Sequence, residues 1–299
     1  MGVSEQLRHE RTSAMSYHYG LMADFRHAIC NEAFKYYDFR EACRIIRSIG
    51  YTGIEIAPFT LADDPLDISA GRRAEYRRII TNEGLTFVGL HWLMVSPKPL
   101  HVTTSDEVLR KKSWEYLSNL VDLCADLGPG GVMVFGSPKQ RATTPGVSRE
   151  EATKRWIEGL AAVAPHAEER GVTILAEALP SSQCDVVTTL AEAVALVRQI
   201  GSPAIQTMFD SHNAEDETEN HATLVERYFD WIRHVHVNEM DGRHCGSGDY
   251  DFLPIFDVLR RKGYTGWISL EAFDFSMGAE TLARESLRYL ESVIERLPE

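Results

Sequence analysis

The chain has 299 residues, of which 44% are hydrophobic and 25% are charged. This length and composition predict a globular protein with a large apolar core, built as one barrel or as two ordinary domains. Its 31 lysines and arginines are outnumbered by 44 aspartates and glutamates, which gives a formal net charge of -13. Because an acidic chain without a strong basic cluster repels a phosphate backbone, the composition argues against nucleic acid as a partner.

The N-terminal segment is polar and irregular, which predicts a flexible arm over residues 1–22 and a catalytic domain over residues 23–299. No apolar run approaches the roughly 20 residues of a membrane span, and the start of the chain lacks the apolar centre of a secretory signal. We therefore expect a cytoplasmic protein without membrane attachment. The five cysteines form no C-x-x-C pair, which is typical of free thiols in a reducing compartment.

Eight short apolar runs, mostly bounded by glycine or polar residues, alternate with helical stretches along the chain. In chain order the predicted strands are FRHAIC, GIEIA, LTFVGL, GVMVF, VTILAE, IQTMFD, IRHVHV and WISLEAF. The clearest amphipathic helices are predicted over residues 106–128, 148–171, 190–201 and 278–297. Eight alternations favour a single α/β domain, a (β/α)8 TIM barrel. An open doubly wound sheet would need a glycine-rich phosphate turn after the first strand, and CNEAFKYYDF contains none.

The last four predicted strands each end on a residue that can bind a divalent cation. These candidate metal ligands are Glu177, Asp210, His236 and Glu271. Since the carboxyl ends of barrel strands meet on one face, we expect the four side chains to converge. An acidic residue that ends an apolar run is costly to bury unless it is paired or bound to metal. Three carboxylates and one imidazole suit Mn²⁺, with Mg²⁺ or Co²⁺ as alternatives, better than a thiolate-rich zinc site.

Four segments carry a specific resemblance to a known family: EALPSSQ, MFDSHN, HVHVNEMDGRHCGSGDYDF and GWISLEAF. They resemble the xylose isomerase-like barrels, and among these the sugar isomerases and epimerases of the D-tagatose 3-epimerase and hydroxypyruvate isomerase type. The likeness extends over nearly the whole chain from about Phe25. It implies that Glu177, Asp210, His236 and Glu271 hold one divalent metal ion and that the two glutamates also act as acid and base.

The activity implied by this resemblance is that of a sugar or keto-sugar isomerase or epimerase acting on a small carbohydrate. Removing a proton from the carbon beside a ketone gives an enediolate, whose negative charge a divalent cation stabilises. Two carboxylates on opposite faces of the substrate, Glu177 and Glu271, could take a proton from one face and return one to the other. The family also implies association into homo-oligomers.

Three positions depart from the epimerase pattern. Six residues after Glu177 the family has a second carboxylate, whereas this chain has Gln183, which cannot act as a base but can still contact substrate. The substrate-contacting histidine expected three residues after the metal aspartate is Asn213 here, with His212 one position earlier. The family's arginine is reached one residue late, at Arg243, which is predicted either to contact substrate or to pair with an acidic residue of its own loop.

The first half of the chain supplies further candidates at strand ends. His91 follows the third strand and is a candidate acid or base, and Trp92 beside it could cover one face of a sugar. Alternatively, both residues only wall the mouth of the barrel. Lys139 and Arg141, after the fourth strand, could bind a substrate carboxylate or phosphate, or could be solvated loop charges. Glu55, within the second strand, could point inward near the site or bond a neighbouring strand end, and the structural interpretation is favoured.

A second activity is compatible with the same metal site. A lyase or dehydratase on an oxidised sugar or glycoside, as in inosose dehydratases and C-glycoside-cleaving enzymes, starts from the same enediolate and expels a leaving group. The altered positions Gln183 and Asn213 and the additional His91 favour this alternative, because leaving-group departure requires a further general acid. Phosphodiester hydrolysis of the endonuclease IV type would need more histidine and aspartate ligands and a basic groove, which the acidic composition opposes.

Overall fold

The computed structural model describes residues 25–298. Its eight strands are parallel and close into a barrel in which each strand pairs with the next in the chain and the eighth pairs with the first. The strands are β1 Arg26–Cys30, β2 Gly53–Ile56, β3 Thr86–Leu90, β4 Val132–Phe135, β5 Thr173–Ala176, β6 Ile205–Asp210, β7 Ile232–Val237 and β8 Trp267–Leu270. This architecture confirms the predicted (β/α)8 barrel and rules out the open sheet.

Helices surround the barrel and connect its strands. They are α1 Phe39–Ile49, α2 Ala70–Asn82, α3 Glu107–Leu127, α4 Pro138–Arg141, α5 Arg149–Glu169, α6 Leu190–Ile200, α7 His221–Tyr228, α8 Leu253–Arg261 and α9 Ala279–Glu295. Short 3-10 helices lie at Asn31–Phe34, Pro58–Thr60, Pro65–Asp67 and Phe229–Trp231. The four helices predicted from the sequence all form, with ends that differ from the prediction by at most two residues.

Polar residues determine where several helices begin. The carboxylate of Asp106 accepts hydrogen bonds from the backbone N–H groups of Val108 and Leu109, at 3.0 Å each. The hydroxyl of Ser148 accepts one from the N–H of Glu151 at 3.2 Å. These bonds satisfy backbone donors that the first turn of a helix leaves without partners. The two long helices that begin at these residues, α3 and α5, precede and follow β4 in the chain.

The interior of the barrel has two chemically different parts. Val134, Leu175 and Met208, from β4, β5 and β6, form a small apolar cluster that is separate from the main core between strands and helices. Elsewhere in the interior, β2 and β7 contribute the ionisable side chains of Glu55 and His234, both buried. The strands themselves are almost wholly buried, which explains why they read as continuous apolar runs rather than as alternating ones.

The structure also bears on the predictions made for the cysteines, for membrane spans and for the N-terminal arm. All five cysteines are unpaired, as predicted, and all five are buried. Within residues 25–298, none of the helices has the length and apolar character needed to cross a bilayer. The arm predicted over residues 1–22 lies outside the described residues, so the arm and the domain boundary at residue 23 stay predictions. The cytoplasmic location also stays a prediction.

Candidate metal centre and substrate cavity

The four predicted metal ligands come together at the carboxyl ends of β5 to β8. Asp210 is the last residue of β6, His236 lies one residue before the end of β7, and Glu177 and Glu271 directly follow β5 and β8. One potential ligand atom from each residue lies within 4.8 Å of the corresponding atoms of the other three. All four residues are buried, with exposed fractions of 5% or less. The order of the strands alone therefore brings together four groups that are 26 to 94 positions apart in the sequence.

The two ring nitrogens of His236 face different groups: one faces the carboxylates of the candidate metal centre and the other faces the barrel interior. Its Nδ1 lies 3.0 Å from Oε2 of Glu271 and 3.6 Å from Oδ2 of Asp210. Its Nε2 points away from these carboxylates and lies 3.0 Å from Oε1 of Glu55 in the barrel interior. Nδ1 is therefore the nitrogen that faces the candidate metal centre.

The electrostatics of the cluster favour a bound positive charge. Burial, together with the negative charges of Asp210 and Glu271, raises the pKa of Glu177 to about 8. Burial alone would lower the pKa of His236, but the carboxylates of Glu55 and Glu271 raise it well above its ordinary value. The raised pKa values mean that Glu177 and His236 retain protons, which partly neutralise these crowded carboxylates. Three carboxylates and an imidazole nitrogen suit a hard divalent cation, so the residues present fit the implied metal ion.

Glu177 is held by a chain of two side-chain amides. Nδ2 of Asn213 donates a hydrogen bond to Oε1 of Glu177 at 2.9 Å. Nε2 of Gln183 donates to Oδ1 of Asn213 at 3.3 Å, which turns the N–H end of that amide toward the carboxylate. Gln183 and Asn213, predicted as substrate contacts, therefore also orient a candidate acid or base.

Space for the Glu177 carboxylate depends on a glycine at the end of β4. A Cβ atom at Gly136 would overlap Oε2 of Glu177. Nearby, the fully buried guanidinium of Arg141 donates to the backbone oxygens of Gly136 at 2.7 Å and of Glu177 at 2.8 Å, and also to that of Val186. The sequence suggested that Arg141 binds a substrate anion or lies in solvent. Neither is correct, because its donors are used to hold the ends of β4 and β5 together.

Glu271 has a hydrogen-bond donor of its own. The indole N–H of Trp92 donates to Oε1 of Glu271 at 2.8 Å. Trp92 is 41% exposed and adopts a left-handed backbone conformation with φ 52°, which is strained for a residue with a large side chain. Its ring meets that of Phe273 edge to face, with the centroids 6.2 Å apart. The predicted sugar-covering residue thus also restrains the second candidate acid or base.

A cavity of about 250 Å³ opens directly above the two glutamates. Its size lies near the lower end of the roughly 300–1,000 Å³ typical of small-ligand sites, which suits one small molecule. The predicted site residues that line it are His91, Trp92, Lys139, Glu177, Gln183, Asn213 and Glu271. The remaining wall residues are Val95, Lys98, Val134, Gly136, Ser137, Pro138, Gln140, Leu179 and Phe273.

Two predicted substrate contacts lie outside this wall. The side chain of Arg243 is 44% exposed and its Nε lies 2.6 Å from Oδ2 of Asp241, so it forms the loop ion pair that the sequence left open as its second alternative. His212 bonds through Nδ1 to the backbone oxygen of Met240 at 2.7 Å, and its ring lies 5.2 Å from that of Phe273. His212 therefore supports the wall from behind. Substrate contact by Arg243 or His212 stays a prediction.

His91 lines the cavity and lies beside Glu32. Its Nε2 is 2.6 Å from Oε1 of Glu32, which is close enough for an ion pair although the N–H direction does not suit a hydrogen bond. Its Nδ1 is 3.6 Å from Oε1 of Glu55. Burial opposes a charged imidazole, yet Cys30 and Glu32 raise the pKa of His91 well above its ordinary value. The sequence left the role of Glu32, after the first strand, open between site and structure, because nothing in its spacing relates it to His91.

Sequence reasoning also missed a buried residue that ties three strand ends together. Asn238 follows β7, and its Nδ2 donates to the backbone oxygen of Glu271 at 2.7 Å. Its Oδ1 accepts from the hydroxyl of Ser211 at 2.9 Å and from the backbone N–H of His212 at 3.0 Å. These bonds fix the ends of β6 and β8 against β7. Its position inside the distinctive HVHVNEMDG segment was the signal that could have identified it.

With this geometry established, comparison with known proteins gives the class of the molecule. The family model described as xylose isomerase-like TIM barrel matches residues 43–293. The chain belongs to this family, as its strand order and four-residue centre indicate. The resemblance found in the sequence is thereby confirmed.

Particular relatives within this family are similar over most of the chain. L-ribulose 3-epimerase of Mesorhizobium japonicum is 25% identical over 243 residues, which cover 81% of this chain and 79% of the relative. A crystal structure of D-psicose 3-epimerase in the presence of D-fructose has a TM-score of 0.78 at 20% identity and covers 90% and 99% of the two chains. That of 3-keto-D-glucoside 4-epimerase from E. coli has a TM-score of 0.75 at 22% identity, with the same coverage.

Proposed function

We propose that this protein is a divalent-cation-dependent epimerase or isomerase of a sugar or keto-sugar. The observation that carries the proposal is that Glu177 and Glu271 belong to the four-residue centre and also line the same cavity. A substrate in that cavity would have a carboxylate available from each of two strand ends. The relatives described above are named as sugar epimerases, which supports this class of enzyme.

The two glutamates would move the protons. One carboxylate removes a proton from the carbon beside the substrate carbonyl, and the other returns a proton to the opposite face, which inverts that carbon. Asn213 and Trp92 donate N–H hydrogen bonds to Oε1 of Glu177 and of Glu271 respectively, and Oε2 of Glu271 lies 3.0 Å from Nδ1 of His236. Both donors are neutral and keep their protons, so neither competes with the glutamates for proton transfer.

The cation site would be formed by Glu177, Asp210, Nδ1 of His236 and Glu271. When bound, a divalent cation supplies Lewis-acid stabilisation of the negative charge that develops on the substrate oxygens. We propose Mn²⁺ as the native ion, because the mixed carboxylate and imidazole set is suited to it, with Mg²⁺ or Co²⁺ as alternatives.

The walls of the cavity would orient the carbohydrate. Trp92 and Phe273 offer aromatic surface for the C–H face of a sugar. Lys139 and Gln183 line the cavity with groups that can bond hydroxyl or anionic oxygens. A cavity of about 250 Å³ favours a single sugar unit rather than an oligosaccharide.

The identity of the product tests this proposal. Protein freed of metal by a chelator and reloaded with Mg²⁺ is incubated in deuterated water with a panel of ketoses and 3-oxo-glycosides, and products are followed by NMR. An epimer or isomer that carries deuterium at the reacting carbon is expected. Release of water or an aglycone without any isomer would contradict the proposal.

The second candidate function is the lyase or dehydratase reaction on an oxidised sugar or glycoside. The observation that favours it is His91, which lines the cavity and has Glu32 beside it, because this pair supplies an acid beyond the two glutamates. Elimination of a leaving group requires such an acid. The same experiment separates the two functions, since only the lyase releases water or an aglycone.

A further inference from the structure

Glu55 is a buried carboxylate that lies beneath the candidate metal centre rather than in it. It belongs to β2, is 0% exposed and points into the barrel. Its Oε2 is 2.8 Å from Nε2 of His234, and its Oε1 is 3.0 Å from Nε2 of His236. Both histidines belong to β7, which is three strands away from β2 around the closed barrel. Glu55 therefore reaches across the interior and contacts β7 at two successive inward-facing positions.

This contact determines how the imidazole of His236 is used. A carboxylate accepts hydrogen bonds, so the His236 nitrogen that faces Glu55 must carry a proton. That nitrogen is Nε2, and the ring then has only Nδ1 with which to offer a lone pair. Nδ1 is the atom that lies 3.0 Å from Oε2 of Glu271 and 3.6 Å from Oδ2 of Asp210.

Glu55 is itself held in place. The contact with His234 occupies Oε2, while Oε1 and Oε2 lie 3.0 Å and 3.2 Å from Nε2 of His236. An isolated carboxylate with no solvent exposure would be strongly destabilising, so a fully buried one requires compensating partners. These two histidines supply them. The arrangement fixes both the rotation of the His236 ring and the nitrogen that it presents to the centre.

We infer that Glu55 is the positioning residue of the cation site, which it prepares by holding His236 through Nε2 so that Nδ1 is free to bind a divalent cation. The inference rests on the proposed function, because it requires a cation among Glu177, Asp210, His236 and Glu271. Carboxylates that orient metal-binding histidines in this way strengthen metal affinity about 10- to 100-fold.

The test compares Glu55→Met, which has no comparable acceptor, with Glu55→Gln, which keeps one neutral acceptor oxygen. Isothermal titration calorimetry gives the Kd for Mn²⁺ and Mg²⁺ of each purified protein. We expect Kd to rise about 10- to 100-fold in Glu55→Met and by a smaller factor in Glu55→Gln. Glu239→Gln is the control, because Glu239 is also a buried carboxylate but accepts hydrogen bonds from the backbone N–H groups of Gly246 and Tyr250 rather than from a histidine. Its Kd should stay at the wild-type value.

A spectroscopic readout separates positioning from a general loss of stability. In the Mg²⁺-loaded protein with ¹⁵N-labelled histidine, the Nε2 proton of His236 should be shifted downfield and protected from exchange, and Glu55→Met should remove both features. If Glu55→Met fails to fold, Glu55→Gln decides the question by the same two measurements. Wild-type Kd values in the folded Glu55 variants would overturn this inference alone, whereas a wild-type protein that binds no divalent cation would overturn the proposed function as well.

Discussion

Nδ2 of Asn213 donates a hydrogen bond to Oε1 of Glu177 at a distance of 2.9 Å. The resemblance found in the sequence implies a histidine at this position, but here the side chain is an amide that bonds to the proposed acid or base itself. Asn213 would therefore influence the reaction through Glu177. This relationship leads to the first prediction.

Replacing Asn213 with alanine should lower kcat about 10- to 100-fold, because a hydrogen bond to a charged group contributes about 1.5–3 kcal/mol. KM should change much less, since the lost bond orients Glu177 rather than the substrate. Steady-state kinetics of epimer formation provide the measurement. Asn82→Ala, at the exposed end of α2, is the control and should match the wild type. A larger effect on KM than on kcat would show that Asn213 acts mainly on the substrate.

Trp92 can be tested by a substitution that keeps an aromatic ring and removes only the N–H donor. Trp92→Phe should lower kcat about 10-fold, because Oε1 of Glu271 loses its hydrogen bond at 2.8 Å while an aromatic wall remains. Trp92→Ala should additionally raise KM, since it removes the surface offered to the sugar. Equal kinetics for Trp92→Phe and the wild type would mean that the indole N–H has no part in holding Glu271.

The close approach of Gly136 to Glu177 predicts a large effect from a single methyl group. A Cβ at this position overlaps Oε2 of Glu177, so Gly136→Ala should displace the carboxylate and weaken Mn²⁺ binding at least about 10-fold. Gly71→Ala is the control, because the nearest atom to its added Cβ is 4.0 Å away. Calorimetric titration with Mn²⁺ measures both variants. Unchanged affinity in Gly136→Ala would contradict the position assigned to Glu177.

Metal removal should reveal the proton held by Glu177. Its pKa of about 8 in the folded protein lies above the ordinary value of 4.5, so the folded protein binds the extra proton between these two pH values. The stability of metal-free protein should therefore fall as pH rises from about 5 to 8. Thermal unfolding of metal-free protein across this pH range measures that trend.

The same proton should be released when the cation binds. At pH 7, Mn²⁺ displaces the proton of Glu177, and His236, whose pKa is also raised, gives up a further one, so at least one proton should be released per ion. Calorimetry in two buffers with different ionisation enthalpies gives this number. A binding enthalpy that does not depend on the buffer would contradict the raised pKa of Glu177.

The sequence was sufficient to predict the barrel and its four converging candidate ligands, because each of them lies at or next to the end of an apolar strand. Strand order then determines their convergence without further information. The roles of Asn213, Arg141 and Glu55 could not be predicted, since each depends on a distance across the fold rather than on local spacing. Glu55 is the clearest example: 181 positions separate it from His236, and their contact forms only when the barrel closes. Asn213 likewise depends on where β6 ends relative to β5, and Arg141 on where β4 ends relative to β5.

The paired action of Glu177 and Glu271 is the central claim, and crossed hydrogen exchange tests it most directly. Glu177→Gln and Glu271→Gln, each loaded with Mg²⁺, are incubated in deuterated water with each epimer of an accepted substrate, and deuterium incorporation is followed by NMR. We expect neither variant to interconvert the epimers. Each variant should still exchange the proton at the reacting carbon of one epimer, and the two variants should act on opposite epimers. Continued interconversion by either variant, or exchange of the same epimer by both, would contradict the account.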